Sequence, residues 1–275
     1  MKQRIIIAVI FVPLLFIVMF FLPPYIFAGV TAIICAVSAY ELQRAIGGKR
    51  NDRISIYNVF AAVLIPIGVY FDIGAQVFMA VTLVLMSLMF AEMIIYFGTK
   101  KPITFAQFLT TLFGGAIIPL MLSSLISLKN MPEGRIFVLL PVISAFITDG
   151  GAYFVGVFFG ERKAFPRVSP KKTVGGCVGG LVIGTASIVI FGVVIVFTTL
   201  YDVAFWALAI YGVIGAVLTE LGDLAFSLVK REFEIKDYGR ILPGHGGMLD
   251  RFDSMVFTAP AMYLLVSVIP AIIVK

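Results

Sequence analysis

Asp250 and Asp253, in the run Asp250-Arg251-Phe252-Asp253, open the last apolar stretch of the sequence. On a helix this spacing puts both carboxylates on one face, with Cβ atoms about 5–6 Å apart. Two anions that close repel each other unless a cation joins them. Asp223, late in the preceding apolar stretch, approaches at the same depth. Three carboxylates with no cysteine ligand suit a hard cation such as Mg2+, with Asp149 as a fourth candidate ligand and a second cation left open. His245 is the single histidine, so a multi-histidine zinc site is excluded. The plain alternative for Asp250 and Asp253 is charge pairing with the helix macrodipole.

The residues before this pair also have chemical potential. The stretch from Ser227 to Asp253 reads SLVKREFEIKDYGRILPGHGGMLDRFD. Lys230, Arg231 and Lys236 supply positive charge for phosphates, and arginine can chelate two oxygens at once. Pro243-Gly244-His245-Gly246-Gly247 is a Cβ-poor turn leading into a helix, where backbone N–H groups can point at an anion. A second polar stretch offers Ser169-Pro170-Lys171-Lys172-Thr173 ahead of Gly175-Gly176. A basic loop at a membrane surface is usually a topology signal or a binder of anionic lipid. That reading covers the charges but not the glycines, the histidine or the three aspartates.

The elements that must position these residues are membrane spans. Hydrophobic residues make up 61% of the 275 and charged residues 13%, with a mean hydropathy of +1.08. Soluble domains run near ~25% charged and ~45–50% apolar. A bilayer core takes ~20 apolar residues per helix. Runs of that kind lie at 5–22, 24–42, 54–72, 75–97, 104–128, 135–159, 177–200, 203–227 and 254–274. The expected fold is an all-α polytopic bundle of roughly nine transmembrane helices, with an uncleaved first helix. With the N-terminus in the cytosol, 18 of the 21 Lys+Arg fall on the inner side, as the positive-inside rule requires. Both substantial loops, 160–176 and 228–253, then face the cytosol. One membrane-embedded domain covers 1–275. Its helices over 1–135 are structural and lipid-facing, and its catalytic part covers 136–275.

An ionisable side chain inside a span is a functional candidate by default. Asp149, Glu220 and Asp223 qualify, Asp149 lying about 15 Å deep at ~1.5 Å rise per residue. Gly150, Gly151, Gly156 and Gly160 beside it would let a helix or ligand come close. Glu41 and Glu92 stand near helix ends and are expected to snorkel. Cys35 and Cys177 read as small hydrophobic side chains. The net charge of +6 is spread between apolar runs, which does not fit a nucleic-acid partner.

Residues 227–253 resemble the signature of the phosphatidate cytidylyltransferases, also called CDP-diacylglycerol synthases. That pattern is Ser-x-apolar-Lys-Arg, four residues, Lys-Asp, then Pro-x-His-Gly-Gly and Asp-Arg-x-Asp. Its elements stand here in register from Ser227 through Lys236-Asp237 to Asp253. Ser169 to Thr173 is similar to the family's upstream motif, and hydropathy and length agree over the whole chain. One departure is Val174-Gly175-Gly176, where the family commonly has an acidic residue before a glycine.

The resemblance implies that CTP and phosphatidate give CDP-diacylglycerol and pyrophosphate in phospholipid biosynthesis, with Mg2+. It assigns Asp223, Asp250, Asp253, Lys230, Arg231 and Lys236 to catalysis, with Asp149 joining the aspartates at the metal. Ser169, Lys171, Lys172, Thr173, Asp237, His245, Gly246, Gly247 and Arg251 would bind substrate. The expected location is a bacterial inner membrane with the active site facing the cytoplasm. Oligomeric state is left open, a homodimer included. The rival within lipid chemistry is a polyprenol or phytol kinase. The rival from another class is a cation transporter using Asp149, Glu220 and Asp223, in which the lysine-rich loops have no role.

Overall fold

The computed structural model describes residues 16–46, 52–100, 102–241 and 246–274. The expected span 5–22 lies mostly outside these residues, as does His245. In chain order the elements are α1 (Pro24–Ile46), α2 (Asp52–Tyr70), α3 (Gly74–Ile95) and α4 (Phe105–Leu112). A π-helical turn over Phe113–Ile117 leads to α5 (Ile118–Asn130), α6 (Gly134–Phe137) and α7 (Leu139–Phe159). Then come β1 (Lys163–Phe165), β2 (Ser169–Thr173), α8 (Val174–Thr198), β3 (Tyr201–Val203) and α9 (Phe205–Glu232). The last are α10 (Leu249–Val268) and β4 (Ile272–Val274).

The protein is a polytopic membrane helical bundle. Seven helical stretches among the described residues are long and apolar enough to cross a bilayer. They expose side chains such as Phe60, Leu83, Ile94, Phe158 and Phe197, which only a lipid surface accommodates. The ninth expected span, 254–274, differs in detail. Its helix begins at Leu249 and ends at Val268, and the chain beyond it forms a strand. Pairing of Tyr201–Val203 with Ile272–Val274 removes those residues from the helix, so the bundle is not purely helical.

By contacts the chain divides into two compact units, 1–132 with 233–252 and 133–232 with 253–275. Residues 233–252 therefore group with the N-terminal helices, although the sequence suggested a division at 135. In the first unit, Ala61, Ile65, Val81, Leu85 and Ala116 form one buried cluster. Ile54, Met89, Ile103 and Phe108 form another. Thr104 caps α4 in a reciprocal box with Gln107. The π turn carries Gly114 and Gly115 against Asn58, whose amide donates to the Ala39 carbonyl at 3.0 Å.

The second unit is built by close backbone approach. A Cβ on Gly180 or Gly184 of α8 would meet Thr148 of α7, and one on Gly151 of α7 would meet Ile183. Without a hydrophobic force between helices in lipid, such small-residue contacts supply the packing. The glycines around Asp149 are therefore divided in use: Gly151 and Gly156 admit the neighbouring helix, and Gly150 meets nothing within 4 Å. Thr219 and Thr258 share a buried hydrogen bond of 2.9 Å between α9 and α10.

Candidate active site

The polar stretch 160–176 forms a short antiparallel hairpin, β1 with β2, that runs directly into α8. Lys171 is exposed, whereas Lys172 is partly buried and Thr173 buried. The Thr173 hydroxyl accepts from Gly176 N–H at 3.1 Å and caps α8. Its role visible here is to end the strand and start the helix. Thr173→Val should lower the unfolding free energy by about 1 kcal/mol and Thr173→Ser by much less, as measured by thermal unfolding in detergent.

Lys172 reaches Asp223 of α9, Nζ to Oδ2 at 2.8 Å. Burial alone would pull its ammonium down. Asp223, with Asp149 and Glu220 adding, more than offsets that, and Lys172 titrates above its ordinary value. Lys230, about two turns further along α9, pairs with Asp253 of α10 at 3.7 Å. Both side chains of that second pair are about nine-tenths buried, at 11% and 10% exposure.

Ser254 joins the remaining carboxylates. Its hydroxyl donates to Asp149 at 3.3 Å, and its N–H donates to Asp253 Oδ1 at 2.9 Å. Asp149 lies within electrostatic reach of Asp223, Asp253 and Lys172. One oxygen of Glu220 is buried with no hydrogen-bond partner among the described residues. Among the described residues, the second unit thus gathers Asp149, Glu220, Asp223 and Asp253 with Lys172 and Lys230 to balance them. This arrangement can bind cations and can hold phosphate oxygens against two fixed ammonium groups. Among the described residues, no three acidic, histidine or cysteine side chains converge closely enough to chelate an ion as they stand.

In the first unit Asp250 has a different occupation. Its Oδ2 accepts from Tyr238 N–H and from Gly247 N–H, both at 2.9 Å, and so ties the signature loop back onto the start of α10. Gly246 has φ +87°, a left-handed conformation that glycine adopts without strain.

A profile of the cytidylyltransferase family matches residues 2–269. The chain belongs to the cytidylyltransferase family. Among curated proteins, this family member is 42% identical over 137 residues to the phosphatidate cytidylyltransferase of Staphylococcus saprophyticus, covering 50% of this chain and 51% of that one. Against the protein of the same name from Bacillus subtilis, identity is 40% over 143 residues, covering 52% of each. For Mycobacterium bovis it is 38% over 160 residues, or 58% of this chain and 51% of that protein. The chain spans about half the length of the curated relatives it matches.

Within this cytidylyltransferase-family fold, the sequence candidates separate into three groups. Asp149, Lys172, Asp223, Lys230 and Asp253 come together in the second unit. Gly246 and Gly247 lie in the loop of the first unit, and Asp250, in the first turn of α10, accepts from Gly247 N–H. Lys171, Lys236, Asp237 and Arg251 are exposed, and Ser169 is partly exposed. Arg231 is exposed too, and its Nε donates to the Val168 carbonyl at 3.2 Å, bracing the hairpin. Three residues depart from the expectation drawn from sequence. Ser254 was signalled only by following Asp253. Glu41 is a correction: it does not snorkel but is 3% exposed, its Oε2 accepting from Leu249 N–H at 3.0 Å. Glu92 is likewise buried, at 7% exposure, with Arg53 at 3.6 Å.

Proposed function

We propose that the protein transfers a cytidylyl group from CTP to phosphatidate, yielding CDP-diacylglycerol and pyrophosphate. The observation that carries this reading is the cluster of four carboxylates and two lysines in the second unit, in a chain of the cytidylyltransferase family. Relatives named phosphatidate cytidylyltransferase support the choice of lipid substrate.

The chemistry needs no general base. A phosphate monoester has a second pKa near ~6, so phosphatidate is largely dianionic at neutral pH. One of its oxygens attacks the α-phosphorus of CTP. The new O–P bond forms as the bond to the β-phosphate oxygen breaks, and pyrophosphate leaves with that electron pair. The barrier is the approach of an anion to a polyanion, so neutralisation and in-line placement supply the rate. Lys172 and Lys230 are fixed cations suited to phosphate oxygens. The carboxylates outnumber them, which suits a hard cation in chemistry. Mg2+ held by Asp149, Asp223 and Asp253 would neutralise further phosphate charge; Asp250, also expected at the metal, already has its Oδ2 engaged by two backbone N–H groups. Lys236, His245, Gly246, Gly247 and Arg251 are assigned to the nucleotide from the sequence pattern. The lysine and arginine bias supports a reaction at the cytoplasmic face, and bacterial relatives support a bacterial membrane.

Purified protein with phosphatidate, Mg2+ and CTP labelled at the α-phosphorus tests the reading. Label should pass into the lipid phase and unlabelled pyrophosphate should be released. Label entering lipid only from γ-labelled nucleotide would instead make the protein a lipid kinase.

A further inference from the structure

Glu41 lies near the end of α1, a membrane helix, yet it is spent on a loop 208 residues away. Its Oε2 accepts from Leu249 N–H at 3.0 Å, the first residue of α10, and Met248 N–H also lies against the carboxylate. The first N–H groups of a helix have no partner within it. Here an acid from another helix meets them, and a negative charge at that end is also favoured by the helix dipole.

The loop is moulded to this carboxylate. A Cβ on either Gly239 or Gly247 would run into the Glu41 carboxylate. Gly247 N–H donates in turn to Asp250, so one residue satisfies Asp250 through its backbone and clears Glu41 by lacking a side chain. Two buried carboxylates, Glu41 and Asp250, thus collect the N–H groups of Tyr238, Gly247 and Leu249. Glu41 Oε1 is buried with no hydrogen-bond partner among the described residues. A carboxylate placed in a membrane span at that cost is not explained by packing.

We propose that Glu41 is a positioning residue. It latches Gly239, Gly247 and Leu249 to the first unit's helices and so holds Gly246 and Gly247 in place. On the proposed function, which this inference deepens, those two glycines serve the nucleotide. Loosening them weakens CTP more than phosphatidate.

The test compares Glu41→Gln with Glu92→Gln, a buried carboxylate of the same unit away from the loop. Amide hydrogen exchange is read on 237–249 and on α1, and KM is measured for each substrate. Glutamine keeps one acceptor oxygen but puts an amide N–H among backbone donors. Glu41→Gln should speed exchange in 237–249 while leaving α1 protected. It should raise the CTP KM by ~10-fold, the size of one charged hydrogen bond, with phosphatidate KM and kcat within about twofold. Glu92→Gln should do neither. Unchanged exchange in 237–249, faster exchange throughout α1, or equal shifts in both KM values would overturn the latch. Exchange does not depend on turnover. Faster exchange in an enzyme that transfers no cytidylyl group would uphold the latch and refute the function.

Discussion

Exchange of Lys172 for methionine is expected to lower cytidylyl transfer by ~100- to 1,000-fold, the range seen when one preorganised group facing developing charge is removed. Methionine keeps the length and apolar stem but loses the ammonium that meets Asp223 at 2.8 Å. Asp223 would then face Asp149 without its cation. Initial rates for Lys172→Met, Asp223→Asn and the double variant check this. If the pair acts as a unit, the double variant is no worse than either single one. Lys172→Arg should rescue only in part, because a planar fork does not replace a point charge in a partly buried socket.

The pH dependence of this pair has a definite sign. Lys172 titrates above the ordinary lysine value of 10.5, with burial opposing and Asp223 prevailing. A cation whose folded value is raised contributes stability that is fully present below the unfolded value. That contribution is lost only as pH rises through the folded one. Activity falling between about pH 7 and 9 would therefore have to come from another group, and Lys172→Met should leave that limb in place.

The second large effect concerns Asp250. Asp250→Ala strands the N–H groups of Tyr238 and Gly247, each at ~1–3 kcal/mol when buried and unpaired. Transfer should drop by ~100-fold or more, with fast amide exchange over 237–249. Asparagine keeps an acceptor oxygen. If Asp250 mainly holds the loop, Asp250→Asn should recover most of the exchange protection and much of the rate. If its charge is what the reaction needs, the rate of Asp250→Asn should match that of Asp250→Ala while exchange stays slow. Paired rate and exchange measurements on both variants separate the two roles.

The second unit's cluster was legible because its signals are local and chemical. Asp149 and Asp223 are charges in spans, Lys230 belongs to the signature that opens at Ser227, and Asp253 follows Asp250 by three residues. The loop's tertiary role was not legible. Gly247 reads as a phosphate turn until Glu41 is seen beside it, and nothing in the sequence pairs residues 41 and 249. Glu41 itself followed the usual expectation for a long acid near a helix end, and burial overrode it. The β1–β2 hairpin was missed because its strands have three and five residues, and one contains Pro170. Such short pieces leave no periodic trace, and proline is tolerated only on strand edges. The π turn at Phe113–Ile117 is invisible for the same reason: one extra residue does not disturb an apolar run.

Lys171 and Lys172 have opposite fates although they are neighbours of one type: Lys171 is exposed and Lys172 is partly buried. Next to Lys172 stands Thr173, buried and clasping Gly176 N–H at 3.1 Å at the start of α8. That clasp phases the strand to the helix, and the lysine beside it is the one that meets Asp223. A hydroxyl that reads as a substrate contact in the sequence is thus a detent, set beside the one ammonium of the doublet that is spent inside.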